Sequence, residues 1–382
     1  FRSLQVEEVE DPHRHVTLPA DAIALVNPNT KTAPVFKSNR DANLTYAIYK
    51  RVPVLVDLNR RKTGNAWGVR FHTMYHQTND AEDFREVSGF DKGKYELVQN
   101  LWVHTRTGER FLPVYEAKMC RPYDHRHGSV LVNESAWYMQ GRSDHTSLVQ
   151  HQNPEYLAFP RYWVSEKSLV TRVPSGRKWF IGFRDVARND DTRTFLANIV
   201  PYAGVTNKLP LLLTNVTATR ELCLLGNVCA FPFDYVVRQK LGDVSMNFFI
   251  VEQLPVLPPD TYDKRCPWDR RATLETWISQ RVLKLTCTAE DMLPLADACG
   301  FTDGSFRAEY GGRLNKWDEA ERAELMAELD AAFFHLYGIA RDDVEYILST
   351  FKGIHDRQTL FPDNASTAER IVRKYAEMSF PA

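Results

Sequence analysis

Apolar positions follow two regimes along the chain. Between about residues 65 and 215 they come in short runs rich in Val, Phe, Tyr and Trp, at 95–102, 111–115, 162–164, 179–183 and 195–200. Each run has strand length and is bounded by Gly, Pro, Asn or Asp, which predicts a β-rich region with irregular loops. From 216 the spacing changes. Leu222, Leu225, Val228, Cys229, Phe233, Val236 and Val237 recur at helical intervals and predict a helix over 216–240. Asn247-Phe248-Phe249-Ile250-Val251 follows. Then comes Gln253-Leu254-Pro255-Val256-Leu257-Pro258-Pro259, a stiff extended exit that ends this region.

Beyond 265 the pattern is helical. Thr288 and Asp291 open one helix, with Pro294 in its first turns. A second runs from Asp318 to Tyr337, with Leu325, Leu329, Phe333 and Leu336 on one face and Gly338 closing it. Val344, Ile347, Leu348 and Phe351 mark a third. Ser366-x-x-Glu369 is a capping box opening a last one that carries Ile371, Val372, Tyr375 and Met378. Near the start, the loop signals Asn27-Pro28-Asn29-Thr30 and Pro34 precede a helix that begins at Asp41 or Asn43. It presents Leu44, Ile48 and Tyr49 and ends before Pro53. The expected fold is α+β: a tether over 1–60, a β-rich domain over 61–260 and a helical region over 261–382. No internal repeat or low-complexity segment interrupts it.

Composition narrows the function classes. The 382 residues suffice for two or three domains, and 21 Phe, 16 Tyr and 8 Trp argue against disorder. A net charge of −1 excludes a uniformly basic nucleic-acid coat, though not a local basic face. Six cysteines without a C-x-x-C pair give neither a zinc-type spacing nor a disulfide framework, so a reducing, cytoplasmic setting is expected. The most apolar stretch, 222–237, is broken by Asn227, Pro232 and Asp234 and is no membrane span. The start at Phe1, with neither Met nor a signal-like segment, reads as a fragment of something longer.

Four stretches carry candidate chemistry. Asn153-Pro154-Glu155-Tyr156 approaches the N-P-P-Y motif that holds a flipped base in amino-methyltransferases. Glu155 replaces the second proline, Gln150-His151-Gln152 stands where an apolar strand should be, and no glycine-rich cofactor turn occurs, so an ordinary loop is expected. Glu116-Ala117-Lys118 is an E-x-K triplet, which with Asp91 could serve a metal-dependent nuclease. Otherwise it is a solvated strand end, or places Lys118 on a phosphate. In Arg121-Pro122-Tyr123-Asp124-His125-Arg126-His127-Gly128, His125 and His127 could bind a metal, and Arg121 and Arg126 could meet phosphates or base edges. A structural turn with an Asp124–Arg126 pair is the plain alternative. Finally, Arg177, Lys178, Arg184, Arg188 and Arg193 are interleaved with aromatics and suit phosphate or guanine contact, unless Asp185, Asp190 and Asp191 neutralise them.

The order of these blocks resembles one family. Asn27-Pro28-Asn29-Thr30, Arg40-Asp41 and Ile48-Tyr49-Lys50-Arg51-Val52-Pro53 look like the segment after the catalytic domain of large type IIG-like restriction–modification methyltransferases and their DISARM and BREX phage-defence relatives. Trp67-Gly68-Val69-Arg70-Phe71, the block from Leu112 to Met119, Asp124-His125-Arg126, and the block from Trp179 to Arg188 resemble their target-recognition domain. The block from Phe233 to Lys240, the 253–259 exit, His335-Leu336-Tyr337-Gly338 and the block from Asp342 to Ile347 resemble its end and the helical C-terminus.

The resemblance implies sequence-specific recognition of double-stranded DNA for adenine-N6 methylation. S-adenosylmethionine would bind in an N-terminal methyltransferase domain outside this chain, which itself carries no catalytic residue, cofactor or metal. The expected partners are DNA, that methyltransferase domain and other defence-system subunits, with no membrane. Expected DNA contacts are Lys118, Arg121, Arg126, Arg177, Lys178, Arg184, Arg188, Arg193 and Lys208. Arg238 and Lys240 rank second, since they could equally cap a helix. The competing readings are a nuclease using Glu116 and Lys118, and a protein-interaction scaffold with an apolar patch.

Overall fold

The computed structural model describes residues 15–130, 142–174, 176–187, 192–241, 245–359 and 361–378. Helix α1 (Ala20–Val26) leads to α2 (Asn39–Arg51), which starts where the Ser38 hydroxyl accepts the Asp41 amide N–H. As expected, α2 ends before Pro53.

The β-rich region holds β1 (Arg70–His72), β2 (Tyr95–Val98), β3 (Leu101–His104), β4 (Arg110–Tyr115), β5 (Gly128–Val130), β6 (Ser143–His145), α3 (Leu148–Gln152), β7 (Trp163–Ser165), α4 (Glu166–Arg172), β8 (Trp179–Phe183), β9 (Ala197–Pro201), β10 (Gly204–Val205) and β11 (Leu211–Leu213). One sheet is antiparallel in the order β1-β11-β8-β9, with Ile181 opposite Ile199 and Leu212. A second runs β10-β4-β3-β2, with β7 also paired to β4 so that Leu112 lies opposite Val164, and β5 and β6 form a two-stranded third. The run expected over 95–102 folds back on itself as a hairpin, because Gln99 takes a left-handed turn conformation (φ 54°).

The helix expected over 216–240 is two: α5 (Ala218–Cys229) and α6 (Phe231–Lys240). Ala230 between them is extended (ψ 149°), and Pro232 sits in the first turn of α6, where its missing N–H costs nothing. There follow α7 (Phe248–Glu252), α8 (Leu274–Thr286), α9 (Leu293–Ala298), α10 (Arg307–Tyr310), α11 (Glu319–Leu336), α12 (Arg341–Ser349) and α13 (Thr367–Glu377). Asp318 caps α11, and Gly338 closes it at φ 68°. The Ser366–Glu369 capping box opens α13. The chain is α+β, and among the described residues no helix is long and apolar enough to cross a membrane.

One hydrophobic core joins all three expected segments. It contains Ile48 of α2, Phe183 of β8, Leu222 of α5, Val236 of α6, Ile278 of α8, Phe333 of α11 and Ile371 of α13. Of the stretch expected to be a tether, the described part from residue 15 is therefore packed, with Ile48, Tyr49 and Val52 buried. The exit at 253–259 is core as well: Leu254, Val256 and Leu257 are buried, and the chain there lies against residues 53–56. Leu55 N–H donates to the Leu254 carbonyl and Val256 N–H to that of Pro53, at 2.8 and 3.0 Å. The second sheet has a separate core around Leu112, Val114, Tyr115, Val164 and Leu211. Phe90, Trp102, Phe111 and Trp163 cluster apart from it.

Candidate nucleic-acid interface

Most of the arginines expected on DNA hold the fold together instead. Arg126 is fully buried, and its guanidinium donates to the carbonyls of Asn153, Tyr156, His151 and Thr288 at 2.8–3.1 Å. The alternative reading, a structural turn, fits better, although the side-chain pair with Asp124 does not form among the described residues. Asp124 accepts the Arg126 backbone N–H at 2.9 Å and contacts His151 Nε2 at 3.2 Å. His151 stacks on Trp317, 3.8 Å between ring centroids, and the Arg322 guanidinium lies 3.5 Å from the centroid of the same Trp317 ring. These buried polar groups lock the β-rich region to α11, and they leave Arg126 no surface for phosphate.

Arg177 pairs with the buried Glu221 at 2.5 Å and donates to the Thr214 carbonyl, while Trp179 Nε1 holds the other Glu221 oxygen at 2.7 Å. Arg193 pairs with the buried Asp330 at 2.8 Å, donates to the Cys229 carbonyl at 2.7 Å and lies 3.4 Å over the Phe231 ring. Arg238 donates to Thr194 Oγ1 at 2.9 Å and covers the Phe351 ring at 3.8 Å. Lys240 donates to the carbonyls of Val26 (2.7 Å) and Gln253, and burial pushes its ammonium well below the ordinary lysine value. For the buried Arg126 and for Lys240, whose ammonium is buried, the expectation of DNA contact is thus corrected, while Arg177, Arg193 and Arg238 are partly exposed and internally engaged. Each is held against the protein by internal partners that a phosphate would have to displace. Arg121 is half-buried, its Nε 3.3 Å from His127 Nε2. Lys178 is exposed, and Arg188 lies outside the described residues.

The two histidines of the 121–128 loop are also occupied. His125 Nε2 sits 2.9 Å from Asp291, and burial lowers His127 to about 4. Among the described residues no group of three or more His, Cys, Asp or Glu could hold a metal. Asn153-Pro154-Glu155-Tyr156 is the loop that receives the Arg126 guanidinium.

Four expected residues converge, one of them the internally paired Arg193. Lys118 lies on the turn after β4, Arg184 directly follows β8, and Lys208 lies between β10 and β11. The first two sheets thereby bring them to one cleft of about 330 Å³ that Arg193 also lines, together with Gln77, Glu116, Val186 and Thr206. Glu116 Oε2 is 3.0 Å from Lys118 Nζ, Arg184 Nε donates to the Ala117 carbonyl at 3.0 Å, and Lys208 pairs with Asp185 at 2.9 Å. Two polar atoms of its lining, Glu116 Oε1 and Thr206 Oγ1, are buried without a hydrogen-bond partner among the described residues. Comparable atoms, Thr45 Oγ1 and Trp102 Nε1 for example, occur in the core among the described residues, so what distinguishes the cleft is its gathered cations.

A nuclease would need a second carboxylate here. Among the described residues Glu116 is the one carboxylate lining the cleft, and Asp91 pairs with Lys94 in a turn elsewhere. The sequence reading missed Gln77 and Thr206, which no motif marks. It also passed over Lys50, Arg51, Arg60, Arg61, Lys62, Lys264 and Arg265, all exposed. The Arg60-Arg61-Lys62 run was a visible signal, but it fell at the end of a supposed tether. Comparison with protein-family models, with curated proteins and with solved structures finds no match to this chain.

Proposed function

We propose that this chain reads double-stranded DNA for an adenine-N6 DNA methyltransferase of a restriction–modification or phage-defence system in the cytoplasm. Methyl transfer from S-adenosylmethionine would belong to a domain of the parent protein outside this chain. The resemblance of the ordered sequence blocks motivates the reading. The observation that carries it is the cleft between the sheets, where Lys118, Arg184 and Lys208 are gathered with Glu116 and Thr206.

The chemistry divides between positioning and reading. Lys118 and Lys208 exchange their carboxylate partners for phosphates, which fixes the register of the duplex without selecting a sequence. Glu116 then accepts from an exocyclic amino group, the pairing a carboxylate makes with cytosine N4, and Arg184 offers donors to guanine or phosphate. Other defence-system subunits would join through the parent assembly.

Fluorescence anisotropy on a random-sequence duplex, with salt varied and with and without Mg²⁺, tests this. Binding should weaken steeply with salt and leave the DNA uncut. Lys118→Ala with Lys208→Ala should flatten the slope of log affinity against log salt by about 1.8, as expected when two phosphates are no longer neutralised. An unchanged slope would remove the cleft from the DNA interface. Mg²⁺-dependent cleavage that Glu116→Ala abolishes would replace this reading with the nuclease.

A further inference from the structure

A second group of cations shares no residue with that cleft. Lys50 and Arg51 end α2, Arg60 lies in the turn that follows residues 53–56, and Lys264 and Arg265 follow the short helical turn Pro259–Asp263. Two adjoining clefts, of about 430 and 490 Å³, meet along a ridge formed by Arg51, Pro53 and Pro258. Lys50 and Arg60 line the first, and Lys264 and Arg265 the second. Arg61 and Lys62 extend the same exposed turn. Residues far apart in sequence are thus gathered into a saddle.

The electrostatics of the saddle differ from the rest of the molecule. Of these seven cations, Arg60 alone forms an ion pair among the described residues, with Asp57 at 3.3 Å. Lys50 lies 4.4 Å over the Tyr46 ring, and Arg51 donates to the Leu336 carbonyl at 3.4 Å. Asp57 and Asp260 are the carboxylates lining the two clefts, and nearby Asp263 is paired with Arg220. Some cations elsewhere are matched, as where Arg370 and Arg373 share Glu324 and Asp363, and others such as Lys92 and Lys316 stand exposed singly. The saddle is distinguished by gathering seven together. A protein with net charge −1 that leaves positive charge uncompensated in one place creates a local field that attracts a polyanion.

We propose that this saddle grips the phosphodiester backbone of duplex DNA outside the stretch read in the cleft between the sheets. The proposal rests on the DNA-recognition reading and extends the footprint to a second surface. Cations on both sides of the Arg51 ridge suit a ligand that carries charge on two strands. A lipid surface fits less well. Leu58 is the large apolar side chain exposed beside the saddle, and the ridge itself is proline, whereas interfacial binding draws on a broad apolar face.

The test compares three forms of the full chain by salt-dependent anisotropy on a random-sequence duplex about 40 base pairs long. They are the wild type, Lys118→Ala with Lys208→Ala, and a saddle variant carrying Arg61→Ala, Lys62→Ala and Arg265→Ala. The three saddle positions are exposed, so matched thermal melts are expected. The saddle variant should lower the salt slope by about 2.7, close to 0.9 for each phosphate that is no longer neutralised. Wild-type binding with an unaltered slope in the saddle variant overturns this proposal and leaves the DNA-recognition reading standing. No wild-type binding at about 50 mM salt overturns both. Wild-type binding to phosphatidylserine vesicles that the saddle variant loses, with its DNA slope unchanged, would assign the saddle to a lipid surface instead.

Discussion

Two sets of cations in this protein behave in opposite ways. Around β8 and α6, Arg177, Arg193 and Arg238 turn inward onto carboxylates, carbonyls and aromatic faces, and Arg126 does so in the loop before β5. On the saddle, Arg61, Lys62, Lys264 and Arg265 stand in solvent with no ion pair among the described residues. Both sets look alike as composition. The difference is the company each keeps. A guanidinium beside buried carboxylates and open helix-end carbonyls is drawn into satisfying them, because leaving those groups unmet inside the protein costs more than the arginine's own desolvation. One beside prolines and exposed turns has nothing to satisfy and keeps its charge for a partner.

Arg126→Ala should give the largest effect. It strands several buried carbonyls, and stability should fall on the order of 4 kcal/mol by urea unfolding. A folded variant of near-native stability that had lost DNA affinity would dissolve the contrast between the two sets. Arg193→Ala comes next, at about 3 kcal/mol, since it leaves Asp330 buried and unpaired. Arg193→Lys should not recover this, for one ammonium cannot replace the two-nitrogen contact with Asp330 and the carbonyl of Cys229. Lys208→Ala should change stability by less than about 1 kcal/mol, as expected for a half-exposed pair, while still weakening DNA binding. A large stability loss there would move Lys208 into the structural set.

The smallest effect concerns pH. Burial holds His127 at about 4, below its ordinary 6.5, so between those values the unfolded chain takes up a proton that the folded one refuses. Stability should therefore decline as pH falls from about 6.5 towards 4. His127→Gln should remove part of that decline, read from urea midpoints at pH values near 7 and 5. Equal pH sensitivity in the variant would mean that other groups carry it.

Much of the scaffold was legible because local rules suffice for it. Ser366 and Glu369, Asp318 with Gly338, and the short apolar run at 179–183 each specify an element from a few neighbouring residues. Breaks inside elements were harder. The turn at Gln99 carries no glycine or Asn-Gly signal, and Pro232 is as welcome at a helix start as it is disruptive in a helix middle, so a continuous apolar face hid the join at Ala230. The site was partly legible. Lys118, Arg184 and Lys208 were identified from local charge, but their meeting depends on the seam between two sheets. The inward arginines were misread for a related reason: Glu221, Asp330 and Thr288, which hold them, lie on distant segments.

The pairing of residues 53–56 with 254–256 also governs how the protein is made. Tyr49 of α2 donates from its hydroxyl to the Gln253 carbonyl at 2.7 Å, across 204 residues of chain. At ribosomal speeds of about 5–20 residues per second, helix α2 emerges roughly 10–40 s before the segment that covers it. Throughout that interval α2 can pack on α1, but it lacks α6 and the Gln253 carbonyl that complete its native surroundings. Slowing translation anywhere between residues 60 and 250 lengthens that interval and should raise the fraction of chains that aggregate before the core can close.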